Sequence, residues 1–293
     1  MSNNVQRVLF AVVAIPIAIG IVYWGGLPLA ILVSVIAALG AHELVSIARR
    51  QQIEPLWRHA LIFSAAIPLG VWVSYGGAMA MWAGLDWAAV LPSTWFALAG
   101  TVIWIMTVTL IRRGPTERPL GTASVTIMAP LYCAVLPSFL LGIRYATGPS
   151  QSWPATWAVF FPLVVTWICD SAAMYAGKMI GGPKLAPIVS PGKTRSGSAA
   201  GLVGGVVTAI IFNRVAMMPS GFTVSDWEAA LFGLVLSVAA QLGDLTESLF
   251  KREAGVKDSS HLIPGHGGVL DRFDALYFVV PLAAMLYRLF GLL

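Results

Sequence analysis

Residues 248–274, SLFKREAGVKDSSHLIPGHGGVLDRFD, form the most polar segment of a very apolar chain. Of the 293 residues, 58% are hydrophobic and only 11% are charged, whereas a soluble domain carries about a quarter charged residues. Long apolar runs lie before and after this segment. We therefore interpret it as a polar loop between membrane-spanning helices, and the fold as an all-α, polytopic integral membrane protein.

Apolar windows of about 17 to 25 residues predict about nine transmembrane helices. They lie near residues 8–24, 27–44, 59–76, 95–111, 124–143, 155–177, 198–218, 228–248 and 275–293. The stretch 77–94 is predicted to be interfacial rather than spanning. Cys133 and Cys169 both lie in apolar segments, which argues against a disulfide framework and a metal role for sulfur.

The distribution of basic residues predicts the orientation of these helices. With nine spans, fifteen of the 18 lysine and arginine residues fall on one side, and only Arg144, Arg214 and Arg288 fall on the other. We expect the amino terminus and the polar loops to be cytoplasmic, in a bacterial-type inner membrane. The net charge of +5 does not imply nucleic acid, because no soluble basic domain carries it.

The polar segment combines carboxylates suited to a divalent cation with cations suited to phosphate. On a helix, Asp244, Ser248 and Lys251 would share one face, and Asp271 and Asp274 would share another. Mg²⁺ takes a few carboxylates together with substrate phosphates. A solvated loop without chemistry is the alternative interpretation.

A second polar island spans residues 170–201 and contains Asp170 inside an apolar span. An intramembrane carboxylate needs a metal, water or an interhelical hydrogen bond. Beyond it, Pro-Gly-Lys-Thr at residues 191–194 suggests a Walker A loop, but residue 187 is proline where that motif requires glycine, and we expect no preceding strand. A general phosphate-binding loop remains as the interpretation.

The polar segment at residues 248–274, which we take as the first island, and the second island at residues 170–201 both resemble the phosphatidate cytidylyltransferases (CDP-diacylglycerol synthases). The matching positions in the first island are Ser248, Lys251, Arg252, Lys257, Asp258, Pro264, His266, Gly267, Gly268, Asp271, Arg272 and Asp274. Those in the second are Lys184, Leu185, Pro187, Ser190, Pro191, Lys193 and Thr194. Two departures are Ser171-Ala172-Ala173, where the family has Thr-Gly-Ala, and Ser196, where it has an acid.

The resemblance implies that CTP and phosphatidate are converted to CDP-diacylglycerol and pyrophosphate. The resemblance covers about residues 165–290, and the first half is interpreted from hydropathy alone. We expect a single domain over residues 1–293, with scaffold or lipid-facing helices in 1–150 and catalytic helices and loops in 151–293. Asp244, Asp271 and Asp274 are the expected ligands of one Mg²⁺, with a second cation as an open alternative. The expected phosphate-binding and substrate-binding residues are Lys251, Arg252, Lys257, Arg272, Asp170, Lys184, Ser190, Lys193, Thr194, Ser248, Gly267 and Gly268. His266 is expected to donate a hydrogen bond or anchor the glycine turn rather than act as a base.

Several alternatives stay open at this point. A transporter would also place carboxylates within a membrane, but no inverted repeats are visible, and a degenerate scaffold would not need the ordered cations and carboxylates. The small-residue spacing of Gly201 and Gly205 favours packing within the chain, with a homodimer face as the alternative. Glu43 is expected to pair with a neighbouring arginine.

Overall fold

A computed structural model describes residues 3–77, 94–148, 151–262 and 267–292, and within these ranges the chain is largely helical. The first half contains α1 (Asn3–Trp24), α2 (Gly26–Arg49), α3 (Trp57–Trp72), α4 (Thr94–Arg112), α5 (Pro119–Pro130) and α6 (Leu136–Ala146). The second half contains α7 (Trp153–Ile180), strands β1 (Lys184–Ala186) and β2 (Ser190–Thr194), α8 (Arg195–Phe212), α9 (Asp226–Glu253) and α10 (Leu270–Leu289). A π-helical turn at Leu131–Val135 continues α5 into α6.

The helices correspond to the predicted spans, and the all-α membrane class is confirmed. Within the described residues, five segments are long and apolar enough to cross a membrane: Gly26–Arg49, Pro119–Ala146, Trp153–Ile180, Arg195–Ser220 and Asp226–Glu253. Two shorter apolar helices cover Ala14–Trp24 and Leu98–Arg112. The count of nine spans stays a prediction, and residues 78–93 of the predicted interfacial stretch lie outside the described residues.

Small residues let α8 approach both of its neighbours closely. A Cβ atom added at Gly201 would lie 3.0 Å from the carbonyl oxygen of Cys169 on α7. One added at Gly233 on α9 would lie 2.7 Å from the carbonyl oxygen of Gly205. The predicted packing of this glycine stripe within the chain is therefore confirmed, because both glycines face helices of the same chain.

The helices α9 and α10 are equally close. A Cβ atom at Gly243 would lie 2.6 Å from the carbonyl oxygen of Asp274, so only glycine permits this approach. The contact places Asp244, the next residue of α9, beside the first turns of α10. One apolar core also includes residues of both halves, among them Leu29, Leu141, Phe232 and Val279.

The expectation that no strand precedes residues 191–194 is wrong. Strands β1 and β2 pair antiparallel, with Lys184 opposite Thr194 and Ala186 opposite Ser190. This hairpin is short and rich in proline and glycine, so it lacks the alternating apolar pattern by which strands are predicted. It does not revive the Walker A interpretation, because residue 187 is still proline.

Several connecting segments meet at one end of the bundle, which we call the polar end. Arg118 donates to the carbonyl oxygen of Gln51 at 2.8 Å, and the Gln51 amide in turn donates to the carbonyl oxygen of Glu253. Arg252 donates to the carbonyl oxygen of Val189 in the hairpin turn at 3.2 Å. The end of α2, the start of α5, the end of α9 and the hairpin therefore meet there.

Candidate functional site

Three aspartates and a lysine from four elements converge near the polar end, and we call this group the carboxylate site. Its members are Asp170 on α7, Lys193 on β2, Asp244 on α9 and Asp274 on α10. The Lys193 ammonium lies 2.6 Å from Asp244 Oδ2, and Ser248 donates to Asp244 Oδ1 at 3.3 Å. The charge of Asp244 also acts on Asp170 and on Asp274. The group brings together five predicted site residues, Ser248 included.

Asp170 differs from its neighbours because it makes no hydrogen bond or ion pair within the described part of the chain. The interhelical hydrogen bond weighed for it is therefore absent there. Its carboxylate feels the positive charge of Lys193 and the negative charge of Asp244. It is accordingly a hard oxygen donor available to a cation or to water.

The carboxylate site offers oxygen donors of the kind that Mg²⁺ binds. Among the described residues, no three His, Cys, Asp or Glu side chains are placed to hold one metal ion together. Mg²⁺ does not require three, because it keeps several waters and takes substrate phosphates as further ligands. The ammonium of Lys193 already lies against Asp244, so the site accommodates a positive charge. One or two of these aspartates, together with water and substrate phosphates, would therefore fit Mg²⁺.

Lys251 and Asp271 belong to a different group, in which both are engaged. The Lys251 ammonium lies 2.6 Å from Glu247 Oε2 and 2.6 Å from Asp271 Oδ1. Asp271 Oδ2 accepts hydrogen bonds from Ser259 N, Ser259 Oγ and Gly268 N at 2.8–2.9 Å. Both oxygens of Asp271 are thus engaged, by four donors of the protein, whereas Asp244 has two. The role of Asp271 as a metal ligand beside Asp244 and Asp274 stays a prediction.

Glu43 extends this second group into the first half of the chain. Its side chain is buried and accepts hydrogen bonds from the hydroxyls of Ser259 and Ser260, at 2.9 and 2.6 Å. It also accepts from the backbone N–H groups of Val269 and Leu270, at 3.0 and 2.7 Å. The expected pairing of Glu43 with an arginine is wrong. We call Glu43, Glu247, Lys251, Ser259 and Asp271 the loop anchor, because they fix both described ends of the loop before α10.

The loop anchor explains the two glycines of the predicted turn. Gly267 has a positive φ of 79°, which disfavours a side chain. A Cβ atom at Gly268 would lie 2.5 and 2.6 Å from the two carboxylate oxygens of Glu43. These glycines therefore permit a close approach to carboxylates of the protein itself. The predicted His266 lies outside the described residues.

The hairpin residues have structural partners of their own. Thr194 is the N-cap of α8, and its hydroxyl accepts the Gly197 N–H at 3.1 Å. Ser196, which replaces the acid of the resembling family, contacts the Thr194 hydroxyl and donates to the carbonyl oxygen of Gly181. Ser190 lies in β2 opposite Ala186. Arg252 holds the hairpin turn through Val189 and also donates to the carbonyl oxygen of Val256 at 3.1 Å.

Three predicted cations remain unengaged among the described residues. Lys184, Lys257 and Arg272 are exposed, and none of them makes a side-chain hydrogen bond or ion pair there. Lys257 lines a cavity of about 310 Å³ together with Arg50, Ser46 and His261. These side chains are positioned to meet an anionic ligand arriving at the polar end.

Sequence reasoning gave Glu247 and Ser259 no role and assigned Glu43 the wrong partner. The spacing of Glu247 and Lys251, four residues apart on a helix, is a usable signal for an ion pair. For Glu43 the signal was weaker. A carboxylate in an apolar helix needs partners, but the sequence does not show which ones, because they lie more than 200 residues away.

Comparisons with known proteins all point to one family, the cytidylyltransferases. The sequence pattern of the cytidylyltransferase family matches residues 5–290. The phosphatidate cytidylyltransferase of Bacillus subtilis (strain 168) is 34% identical over 303 residues, covering 99% of this chain and 100% of the relative. That of Synechocystis sp. is 30% identical, covering 94% of each chain. That of Brucella suis is 45% identical over 133 residues, covering 45% of this chain and 46% of the relative.

Proposed function

Because the chain belongs to the cytidylyltransferase family, we propose that it transfers the cytidylyl group of CTP to phosphatidate. The products are CDP-diacylglycerol and pyrophosphate. The observation that carries the proposal is the carboxylate site, where Lys193 and three aspartates from separate elements converge beside unengaged cations in a membrane protein. This combination suits a reaction between two anionic phosphate compounds, one of them a lipid.

The reaction requires charge neutralisation and alignment more than covalent participation by the protein. A phosphate oxygen of phosphatidate forms a bond to the α-phosphorus of CTP, and the bond from that phosphorus to the β-phosphate bridging oxygen breaks. The electron pair leaves with pyrophosphate. Since a phosphate monoester is already ionised at pH 7, no strong general base is needed, which agrees with a non-basic role for His266.

We assign the binding of Mg²⁺ to Asp244 and Asp274, together with water and substrate phosphates, and Asp170 would lie beside this site as a further polar group. When bound, Mg²⁺ would neutralise phosphate oxygens and support departure of pyrophosphate. Lys193 lies against Asp244 at 2.6 Å and is the lysine best placed to contact a phosphate beside the same carboxylates. Binding of a second cation beside the first is also part of the proposal.

The remaining predicted residues divide into two roles. Lys184, Lys257 and Arg272 are exposed and would contact the triphosphate or the lipid phosphate, with Arg272 able to offer a bidentate fork. Lys251, Arg252, Asp271, Gly267 and Gly268 would position the loop and the hairpin that carry those cations. Ser190 and Thr194 would hold the hairpin in place against α8.

We further infer that the polar end faces the cytoplasm, because most basic residues of the chain lie in its loops. CTP would then reach the site from the cytoplasm and phosphatidate from the bilayer of a bacterial-type inner membrane. A homodimer remains a prediction, and the mass of the purified protein in detergent would test it.

The proposal is tested by transfer of label from α-³²P-CTP into chloroform-extractable lipid by purified protein and phosphatidate, with and without Mg²⁺. We expect metal-dependent labelling that is lost in Asp244→Asn. Asp226→Asn is the matched control, because Asp226 pairs with Arg214 at an exposed position. Absence of labelling from a folded wild-type preparation would overturn the proposed reaction. Full labelling by Asp244→Asn would keep the reaction and discard the assigned carboxylate.

A further inference from the structure

A basic cavity in the first half of the chain takes no part in the proposed reaction. It has a volume of about 410 Å³ and lies between the start of α3 and the end of α4. Its lining includes Trp57, Arg58, His59, Arg112 and Arg113. None of these residues belongs to the carboxylate site or the loop anchor. Binding of a ligand in this cavity is therefore independent of the proposed reaction.

The guanidinium groups in this cavity are largely unengaged. Within the described residues, Arg58 contacts only the Trp57 ring, at 5.3 Å, and Arg112 makes no hydrogen bond or ion pair. Arg113 donates to the carbonyl oxygen of Glu54 at 2.9 Å and lies 3.8 Å from Glu117, but its buried Nε has no partner. In the part of the chain that the structure describes, no carboxylate lines the cavity, and Glu54 is turned to Arg49 at 3.4 Å. Glu117 pairs with Arg113, but Arg58 and Arg112 have no carboxylate partner among the described residues, so the cavity keeps a net positive charge.

The backbone adds to this preference for an anion. Leu56, the N-cap of α3, provides no side-chain cap. The N–H of Trp57 donates to the carbonyl oxygen of Pro55 at 2.9 Å, and those of Arg58 and His59 have no acceptor among the described residues. Helix N-termini favour negative charge for this reason. The backbone and the three arginines thus favour the same kind of ligand.

The surroundings of the cavity indicate a lipid rather than a free anion. Leu110 and Ile111, directly before Arg112, are 81% and 76% exposed, and Trp104 is 54% exposed. Trp57 at the rim is also exposed. A basic cavity bordered by exposed aliphatic side chains and tryptophans fits a molecule with an anionic head and apolar chains.

We propose that this cavity binds the phosphate headgroup of an anionic phospholipid, with the acyl chains lying along the apolar surface of α4. Arg58 and Arg112 supply the charge-assisted hydrogen bonds to the phosphate. The site is separate from the one that would bind the reacting phosphatidate.

The test is native mass spectrometry of purified protein with phosphatidylglycerol, which is not a substrate of the proposed reaction, beside phosphatidylcholine and inorganic phosphate. We expect retained phosphatidylglycerol adducts on the wild type and about thirtyfold weaker binding to Arg58→Gln/Arg112→Gln. The control is Lys178→Gln/Arg195→Gln, which removes two exposed cations elsewhere and should retain the adducts. Both pairs lack side-chain contacts to acidic groups in the described structure, so melting temperatures should match the wild type.

The other outcomes overturn the proposal. Equal loss in both double variants would mean diffuse attraction to surface charge, and equal retention of phosphatidylcholine would mean that the headgroup is not recognised. Binding of inorganic phosphate without selective retention of phosphatidylglycerol would assign the cavity to a free anion. Absence of any adduct on the wild type would leave no lipid site.

Discussion

The carboxylate of Glu43, on α2, accepts the backbone N–H of Leu270, at the start of α10, at 2.7 Å. The two residues are 227 positions apart in the sequence. An α-helix begins with N–H groups that have no acceptor within the helix, and a carboxylate there is favourable. Glu43 therefore acts as a cap that a distant helix supplies to α10, and it joins the first half of the chain to the loop that carries the predicted chemistry.

We expect Glu43→Gln to lower the stability of the protein by about 2 kcal/mol, because the amide cannot accept from all four donors that the carboxylate satisfies. The melting temperature of the purified protein in detergent measures this change. Glu117→Gln is the control, since Glu117 lies at an exposed position 3.8 Å from Arg113. An unchanged melting temperature in Glu43→Gln would show that the cap contributes nothing measurable.

Gly268→Ala should destabilise the same region by about 1–3 kcal/mol through overpacking. The added Cβ atom would lie 2.5 and 2.6 Å from the carboxylate oxygens of Glu43, which cannot move without breaking its hydrogen bonds. Gly100→Ala on α4 is the matched control, because nothing lies within 4 Å of a Cβ atom there. Parallel thermal melts of the two variants would distinguish local crowding from a general effect of losing glycine. Equal melting temperatures would contradict the described position of Glu43.

Lys251→Met tests the buried ion pairs of the loop anchor. Removing the ammonium leaves Glu247 and Asp271 without their shared counter-charge, and breaking a buried pair from one side costs about 3–5 kcal/mol. Arg214→Gln removes a cation from the exposed pair with Asp226 and should change the melting temperature little. If Lys251 instead binds only the substrate and does not stabilise the loop, Lys251→Met will lose activity and keep the melting temperature of the wild type.

The sequence predicted the carboxylate site better than the loop anchor. Helical spacing placed Asp244 and Ser248 on one face, and the Ser248 hydroxyl donates to Asp244 there. Spacing also placed Asp271 and Asp274 together, yet Asp271 contacts Lys251 and Ser259, whereas Asp274 lies near Asp244. Side-chain periodicity fixes a shared face but not the partners across it. Those partners depend on the close packing of α9 against α10 at Gly243, which spacing alone does not show.

The fold itself was largely predictable because hydropathy is a strong signal for long apolar helices. The hairpin at residues 184–194 was missed because its strands are three and five residues long and carry proline and glycine. The contacts of Glu43 could not be inferred from its own neighbours in the sequence. A buried carboxylate can be satisfied by any converging donors, and only the packing of α2 against the start of α10 selects Val269 and Leu270.

Asp244 and Asp271, two of the three aspartates that the sequence grouped as metal ligands, should respond differently to substitution. Asp244→Asn should lower the rate of Mg²⁺-dependent labelling of lipid by at least about a hundredfold, because it removes a carboxylate beside Lys193. Its melting temperature should stay close to that of the wild type, since Asp244 is only partly buried. Asp271→Asn should instead lower the melting temperature strongly and the activity less. It leaves Lys251 and three hydrogen-bond donors facing an amide, so the melting temperature should fall first.

Thermal melts combined with the Mg²⁺ dependence of labelling at low temperature decide between these roles. If Asp271 positions the loop, Asp271→Asn retains some activity below its melting transition, and its Mg²⁺ requirement matches that of the wild type. If Asp271 is a metal ligand, the variant melts normally and needs much more Mg²⁺. That second result would mean that Asp271 exchanges Lys251 for the metal when substrate binds, and it would restore Asp271 to the ligand set beside Asp244 and Asp274.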